Sequence, residues 1–440
     1  MPPPSTHSAA PICAPATAPF PSAVALLRLS GPNLAEHLRS FLELPPPRLA
    51  SLRTLRWDGF EEQALVLFFP APKSYTGEDV VELQIHGNPL LVQKLTHHLG
   101  TLGIRLAEAG EFTRRALLNA KQGLLKVEAL GDLIAAETDS QIRMAQARAG
   151  AQPPWIIEVR QWLAPWMARA EAAVDYGEDD GILLNIEDLI ISAQSMISLF
   201  HVEQQRANAA RHLRDGIRVA LVGAPNAGKS TLFNALIGED RAIVTEVPGT
   251  TRDVLEARCE WRGLPLRVFD TAGLRLAEDP VERIGVARVA AVMAGADVVL
   301  HMVPCEQDNE DEVLASALRP FRAKTLVIQT FGDVRAPVDS ICISALTGDL
   351  DALDHALHER VLGGMAPDAC LGALANGRQV DLLNELVHQF ELIGSLPSDA
   401  PPELPASLLQ GAWGLLARLT GEDRADSALD EVFKGFCLGK

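Results

Sequence analysis

Cysteine is scarce in this chain of 440 residues, and the six that occur are scattered, at Cys13, Cys259, Cys305, Cys342, Cys370 and Cys437. No two of them form a C-x-x-C pair. That absence excludes the usual zinc-binding patterns and a disulfide framework. Scattered cysteines are typical of a reducing compartment, so we expect a cytoplasmic protein.

Basic residues are also under-represented, because 39 Lys and Arg face 57 Asp and Glu, for a formal net charge of −18. A protein that binds nucleic acid by itself usually carries a basic face, so we expect contact with nucleic acid mostly through a partner. The first 27 residues hold no Lys or Arg, which argues against a secretory signal. No run reaches about 18 apolar residues, so no membrane span is expected.

The hydrophobic content of 48% is enough to build large cores, and the length suggests roughly two to four domains. Residues 1–125 mix strand-like runs, at 64–69 and 80–85, with a helix from Asn88 to Leu102. This mixture indicates an N-terminal α+β domain. Residues 126–212 and 371–440 are rich in helix formers with apolar residues three or four apart, which predicts a helical domain.

Residues 216–362 alternate strands with helices, which predicts an α/β domain with a mostly parallel sheet. The strands are expected near 217–223, 264–270, 297–303, 324–329 and 340–344. The fold class is therefore multidomain α/β, with this domain inserted into the helical one.

The segment Gly223-Ala224-Pro225-Asn226-Ala227-Gly228-Lys229-Ser230 fits the phosphate-binding pattern G-x-x-x-x-G-K-[ST]. The apolar run before it predicts a strand, and residues 231–236 predict a helix. Glycines let backbone N–H groups surround a phosphate, and a helix N-terminus adds positive potential. We expect Lys229 to reach the β- and γ-phosphates and Ser230 to bind Mg²⁺.

Two further motifs follow the P-loop in the order that is typical of GTPases. Gly249-Thr250-Thr251-Arg252-Asp253 offers a threonine that can close over Mg²⁺ and the γ-phosphate. Asp270-Thr271-Ala272-Gly273 ends a predicted strand, where its aspartate can support Mg²⁺ and its glycine N–H can sense the γ-phosphate. Together with the P-loop, these motifs predict a P-loop GTPase domain.

The segment that reads guanine departs from the usual N-K-x-D pattern, because it is Thr330-Phe331-Gly332-Asp333. Thr330 replaces the amide that faces the guanine O6/N7 edge, and Phe331 replaces the lysine stem over the base. Asp333 remains to accept from the guanine N1 and N2 groups. Ser344-Ala345-Leu346 fits the loop that backs the base. GTP is the expected nucleotide, and an ATPase produced by the loss of N-K-x-D is the alternative.

Ras-like proteins place a water-orienting glutamine directly after D-x-x-G. This chain has Leu274 at that position, so another residue must orient the water. Glu282 is a candidate for that task, and a solvated helix charge is the alternative. Asn226 offers a side-chain oxygen to a monovalent cation, with backbone carbonyls from 242–250. A K⁺ ion would then replace an arginine finger. The alternative is that Asn226 only stabilises its turn.

The predicted nucleotide-binding residues are Asn226, Ala227, Gly228, Lys229, Ser230, Thr231, Thr245, Glu246, Val247, Pro248, Gly249, Thr250, Thr251, Asp270, Thr271, Ala272, Gly273, Asp333, Ser344, Ala345 and Leu346.

Residues 223–234, 242–253 and 270–285 resemble the G domain of the tRNA-modification GTPase family MnmE, also called TrmE. The G domain alone would leave ribosome-assembly GTPases open. Outside it, residues 74–79, 86–88 and 110–121 are similar to the family's N-terminal domain. The chain ends with Phe436-Cys437-Leu438-Gly439-Lys440, close to the family's terminal F-C-I-G-K. The resemblance therefore covers nearly the whole chain.

The resemblance implies a homodimer whose N-terminal domain binds 5-formyl-tetrahydrofolate or a related folate. It implies an FAD-containing partner of the MnmG type, in a heterotetramer, and modification of C5 of the wobble uridine in certain tRNAs. By position, the implied K⁺ ligands are Asn226, Thr245, Val247 and Thr250, and the implied Mg²⁺ ligands are Ser230 and Thr251. Glu282 matches the water-orienting glutamate, and the implied folate contacts are Arg28, Glu82, Lys121 and Lys440.

Some of these roles have a chemical reason. Arg and Lys suit the folate carboxylates, and Glu82 suits the amino and N–H donors of the ring. With Lys229 and Glu282, Cys437 completes the predicted catalytic set, because a thiol can attack a one-carbon unit or a flavin adduct. An idle terminal cysteine is the alternative for Cys437, and surface charges are the alternatives for Arg28 and Lys121.

The chain also departs from the family at two places in its N-terminal domain. The family has a glycine-rich opening of the type P-P-G-R-G-G-V-G, and the corresponding residues 18–25 of this chain contain no glycine. The family also has the sequence H-G-G where this chain has His86-Gly87-Asn88. A GTP-binding regulatory or ribosome-assembly switch without modification chemistry is therefore kept as the alternative function.

Overall fold

The structure is a computed structural model and describes residues 10–18, 21–176, 184–238, 255–270, 282–305, 312–331 and 341–422. The chain divides into two compact units. One comprises Met1–Gly131 with Ala417–Lys440, and the other comprises Asp132–Leu416. No helix among the described residues is long and apolar enough to cross a membrane.

The strands are β1 (Ile12–Pro15), β2 (Ser22–Gly31), β3 (Ser51–Trp57), β4 (Phe60–Phe69), β5 (Asp79–Gly87), β6 (Arg105–Leu106), β7 (Ile217–Gly223), β8 (Leu255–Trp261), β9 (Leu264–Asp270), β10 (Val298–Pro304), β11 (Thr325–Thr330) and β12 (Ile341–Cys342). The helices are α1 (Leu34–Leu38), α2 (Pro89–Thr101), α3 (Glu111–Leu118), α4 (Leu124–Ala135), α5 (Asp139–Gly150), α6 (Pro154–Tyr176), α7 (Ile186–Asp215), α8 (Lys229–Gly238), α9 (Glu282–Gly295), α10 (Glu312–Leu318), α11 (Asp351–Leu362), α12 (Gly377–Gly394) and α13 (Glu403–Thr420).

The first unit is built on a sheet with the strand order β3-β4-β5-β2-β1-β6. Its pairs are antiparallel except for β1 with β6. Side chains of β2 such as Leu27 and Leu29 alternate into a core that includes Leu95 and Leu99 of α2. Asn88 starts α2 by accepting from the N–H groups of the two residues after Pro89. The predicted α+β character of this region is confirmed.

The second unit contains a sheet with the order β12-β11-β10-β7-β9-β8, and helices pack around it. Five of its strands lie where the sequence predicts them, and their pairs are parallel. The prediction missed β8, which pairs antiparallel with β9. Its sequence, Leu-Glu-Ala-Arg-Cys-Glu-Trp, alternates apolar and charged residues, which is the period of a half-buried strand.

A buried ionic network ties several helices of the second unit together. The carboxylate of Asp132 accepts from Arg148 and, at 2.7 Å, from Arg214. The Arg148 guanidinium also donates to the Oε1 atom of Gln379 on α12, at 3.1 Å. Because a buried charge is costly without its partner, the network requires α5, α7 and α12 to keep this arrangement.

The β8–β9 hairpin is held against α5. A backbone N–H in the first turn of α5, that of Ser140, donates to the Glu260 carboxylate at 3.1 Å. Arg258 forms an ion pair with Glu137, just before the helix. A cavity of about 520 Å³ lies between these elements. The hairpin is therefore anchored to the helical part at the end opposite to Asp270.

Candidate functional site

The P-loop lies at the carboxyl edge of the parallel sheet. Strand β7 ends at Gly223, which is in register with Met302 of β10. Two residues earlier, Leu221 is in register with Asp270, the last residue of β9. Because parallel strands end at one edge, the phosphate-binding loop and the predicted Mg²⁺-supporting aspartate lie side by side.

Two glycines and an asparagine give the loop its shape. Gly228 has a φ of +89°, which favours glycine, and a Cβ at Gly223 would lie 2.5 Å from the carbonyl oxygen of Met302. Asn226 is exposed and has a φ of +62°, a conformation that asparagine tolerates better than most residues. Turn geometry is therefore a sufficient reason for an asparagine here, and its K⁺ role stays a prediction.

Lys229, the first residue of α8, places its charge within the loop. Its ammonium donates to the carbonyl oxygens of Gly223 and Ala224, at 2.8 and 2.7 Å. Burial lowers the pKa of Lys229, and the nearby charge of Asp270 opposes that effect. A buried lysine at a helix N-terminus suits the phosphate chain of a nucleotide.

Ser230 and Asp270 come together as the sequence predicts. The Ser230 hydroxyl donates to the Oδ2 atom of Asp270 at 3.4 Å, and the Asp270 residue is only 4% exposed. A hydroxyl and a carboxylate are hard oxygen donors of the kind that Mg²⁺ prefers beside nucleotide phosphates. Thr231 follows on the exposed side of α8.

The predicted base-binding segments lie at the same edge of the sheet. Thr330 ends β11 and is 4% exposed, and its hydroxyl donates to the carbonyl oxygen of Ala227 in the P-loop at 3.0 Å. Ser344 is buried, and its hydroxyl accepts from the N–H of Thr347 at 3.3 Å. Between Ser344 and Thr347, Ala345 is half-buried and Leu346 is 81% exposed.

Other predicted site residues lie outside the described part of the chain. They are Thr245, Glu246, Val247, Pro248, Gly249, Thr250, Thr251, Thr271, Ala272, Gly273, Asp333, Cys437 and Lys440. Glu282 is the first residue of α9, but its side chain also falls outside the description.

A second candidate site lies in the first unit, as a cavity of about 300 Å³. Arg28 and Glu82, both predicted folate contacts, line it and are cross-strand neighbours on β2 and β5. The Arg28 guanidinium donates to the Glu82 carboxylate from Nε at 3.0 Å and lies 2.9 Å from it through Nη2. The two residues that the sequence assigns to different parts of a ligand are thus paired with each other.

Two aromatic residues in the lining were not assigned a role from the sequence. Phe69 ends β4, and the ring of Tyr75 lies 5.9 Å from the Arg28 guanidinium. Tyr75 belongs to the 74–79 motif, and that motif is the sequence feature that could have identified it as a lining residue. Lys121 is not one of the lining residues. Its stem packs on Gly77, where a Cβ would come within 2.9 Å of the Lys121 Cε atom.

An ionic network supports the segment that carries Tyr75. Arg115 is 8% exposed and pairs with Glu78 at 3.0 Å and with Glu111 at 2.9 Å. Burial alone would raise the pKa of Glu111, but hydrogen bonds from Arg105, the Glu108 N–H and Arg115 outweigh it and hold the pKa at about 2. This network joins the 110–121 motif to the 74–79 motif.

Buried thiols are poor candidates for nucleophilic chemistry. Burial raises the pKa of Cys13 and of Cys259 to about 11. It also raises the pKa of Cys370, against the effect of Arg206. These three thiols stay protonated near neutral pH and are weak nucleophiles.

Two family descriptions match the chain. "GTP-binding protein TrmE N-terminus" matches residues 11–121, and "MnmE helical domain" matches residues 124–437. The tRNA modification GTPase MnmE of Brucella ovis is 38% identical over 439 residues, covering 96% of each chain. The protein with the same name from Rhizobium meliloti is 39% identical over 434 residues, covering 96% of this chain and 97% of its own.

A solved structure similar to part of the chain is the G domain of the T. maritima FeoB iron transporter. It is 23% identical and covers 33% of this chain and 97% of its own, with a TM-score of 0.27.

Replacing the P-loop lysine should abolish nucleotide hydrolysis. In Lys229→Met the charge that faces the phosphates is lost, so we expect kcat/KM to fall on the order of 100-fold or more. Phosphate release by the purified chain measures this. The matched control is Lys324→Met, because Lys324 precedes β11 at the opposite edge of the sheet. Equal losses in the two variants would contradict the assignment.

The Glu111 network should make stability depend on acid pH. Its pKa of about 2 lies below the ordinary 4.5, so its stabilisation is complete above pH 4.5 and is lost as the pH falls toward 2. At neutral pH that stabilisation is at most about 3 kcal/mol. Glu111→Gln should therefore lower the free energy of unfolding in urea at pH 6 and much less at pH 3.

The control for this experiment is Glu108→Gln, whose side chain is exposed. We expect its effect on unfolding to be small at both pH values. A Glu111→Gln effect of the same size at pH 6 and pH 3 would show that the carboxylate is not the stabilising group.

Proposed function

The chain belongs to the MnmE family of tRNA-modification GTPases, and from that premise we propose that it is a K⁺-dependent GTPase which modifies C5 of the wobble uridine. In this proposal it works as a homodimer with an FAD-containing MnmG-type protein, in a heterotetramer. The carbon comes from 5-formyl-tetrahydrofolate or a related folate. The observation that carries the proposal is the P-loop edge, where Lys229, Ser230 and Asp270 lie together, in a chain of which 96% matches its Brucella ovis relative.

The residues at the P-loop edge support phosphate binding and hydrolysis. The ammonium of Lys229 and the N-terminal N–H groups of α8 neutralise charge that develops on the transferred phosphoryl group. Ser230 and, by sequence, Thr251 would hold Mg²⁺, with Asp270 beside them. That ion would supply charge neutralisation between the β- and γ-phosphates. The carboxylate of Glu282 would orient the attacking water.

The proposed K⁺ site uses Asn226 with Thr245, Val247 and Thr250. Asn226 is the described member of this set, and its side chain is exposed at the mouth of the loop. Its amide oxygen and backbone carbonyls are suitable ligands for a monovalent cation. The ion would supply the positive charge that an arginine finger supplies in other GTPases.

The cavity in the first unit supports the folate part of the proposal. Its lining combines apolar and aromatic walls, from Phe69, Tyr75 and Val80, with one ion pair. A flat heterocycle can pack on the aromatic walls, and Glu82 can accept from its amino and N–H groups. Arg28 would balance the charge of that carboxylate, with Lys121 and Lys440 left for the glutamate tail.

The charge of the chain supports a division of labour with the partner. A net charge of −18 opposes direct binding of a polyanion, so we propose that tRNA binds mostly through the MnmG-type protein. The cytoplasm, where tRNA is used, is the proposed location. Cys437 is retained as a proposed catalytic thiol.

The cation requirement tests the mechanism. GTP turnover by the purified chain should be at least about 10-fold faster in K⁺ than in Na⁺ at equal ionic strength. The reason is that K⁺ fits the proposed site and supplies the positive charge that an arginine finger supplies in other GTPases. Equal rates in the two salts would contradict the cation mechanism.

The control variant is Asn226→Gly. Glycine adopts the φ of +62° without strain and removes the side chain with its amide oxygen, so the turn is kept and the proposed ligand is lost. We expect its rate in K⁺ to fall to the rate of the unchanged chain in Na⁺. A variant that keeps the full K⁺ response would show that Asn226 only shapes the turn.

A further inference from the structure

Thr330 stands where GTPases usually have the amide that reads guanine, and its hydroxyl is bonded to the P-loop. Thr330 is buried, and its hydroxyl lies 3.0 Å from the carbonyl oxygen of Ala227. A carbonyl oxygen cannot donate, so the threonine must be the donor. Its Cβ and Cγ2 atoms also pack on the loop, 3.8 Å from where a Cβ on Gly228 would lie. Thr330 therefore holds the loop in place.

The count of protons decides what else this side chain can do. A threonine hydroxyl has one proton, and here it is donated to Ala227. The N7 and O6 atoms of guanine are both acceptors and need a donor. An asparagine amide has two N–H groups, so it can serve a loop carbonyl and a base together. Threonine keeps the first of these bonds and lacks the second.

Apolar groups occupy the neighbouring positions. Phe331 follows Thr330 with a φ of +64° and is 41% exposed, and Leu346 is 81% exposed. Phe331 directly follows β11, and Leu346 lies in the turn four residues after β12, the strand paired with β11. Aromatic and aliphatic side chains contact a base without distinguishing its edge atoms, because every base has a π-face.

We propose that this chain binds its guanine nucleotide without a side-chain hydrogen bond to N7 of the base. Thr330 is a positioning residue for the P-loop, and Phe331 and Leu346 provide apolar contacts that do not depend on N7. The inference rests on the proposed function of the site and deepens it, since it defines which part of the nucleotide is not recognised.

The probe is 7-deaza-GTP, in which a C–H group replaces N7 and the rest of the base keeps its hydrogen-bonding groups. Dissociation constants for GTP and 7-deaza-GTP are measured by competition against a fluorescent GTP analogue, on the purified full chain with Mg²⁺ and K⁺. We expect the two constants to agree within about 2-fold, because a bond that is not made costs nothing to remove. A loss of about 5-fold or more on 7-deaza substitution would overturn the proposal.

Two variants sharpen the comparison. Thr330→Asn restores the second donor, so 7-deaza-GTP should now bind roughly 3- to 10-fold more weakly than GTP. Thr330→Val keeps the shape and removes the bond to Ala227, so both nucleotides should weaken by the same factor and their ratio should stay near one. A Thr330→Val ratio that differs from that of the unchanged chain would overturn the proposal.

The experiment also distinguishes failure of the proposed function from failure of this inference. If neither nucleotide binds the unchanged chain, the proposed function fails, and this inference fails with it. If GTP binds and 7-deaza-GTP does not, the proposed function stands and only this inference fails.

Discussion

Parallel pairing of β7 with β9 and β10, and of β10 with β11, is the constraint on which the nucleotide site depends. It brings the ends of these strands to one edge, so that the P-loop, Asp270 and Thr330 meet although they are far apart in the sequence. The bond from Thr330 to Ala227 and the contact between Ser230 and Asp270 then connect the loop to strands on both of its sides. The loop is held from two directions before any ligand contributes.

The same sheet links the site to the rest of its unit. Strand β8 begins at Leu255, shortly after the predicted threonines Thr250 and Thr251, and β9 ends at Asp270. The two strands form one hairpin, which is held by the first turn of α5 through Glu260 and by Glu137, just before α5, through Arg258. The buried pair of Asp132 and Arg148 holds α5 in turn. These contacts therefore join the hairpin that ends at Asp270 to the helical part of the unit.

Much of this architecture was predictable, because it rests on local patterns. The P-loop, five strands of the second sheet and the juxtaposition of Ser230 with Asp270 follow from motif spacing and hydrophobic runs. Pairing between side chains was not predictable in the same way. Nothing local reveals that Arg28 and Glu82 are cross-strand neighbours, or that the Thr330 hydroxyl is directed at Ala227. These facts depend on strand register, which is a property of the folded sheet.

The most direct test of the central claim, that this GTPase acts in modification of the wobble uridine, is nucleoside analysis of tRNA. Cells lacking the gene are compared with cells that carry it, by mass spectrometry of the wobble position. The account predicts that the C5-modified uridine is lost without the gene and returns with the unchanged chain but not with Lys229→Met. Unchanged wobble uridines in cells lacking the gene would contradict the account and would favour a GTP-binding switch without modification chemistry.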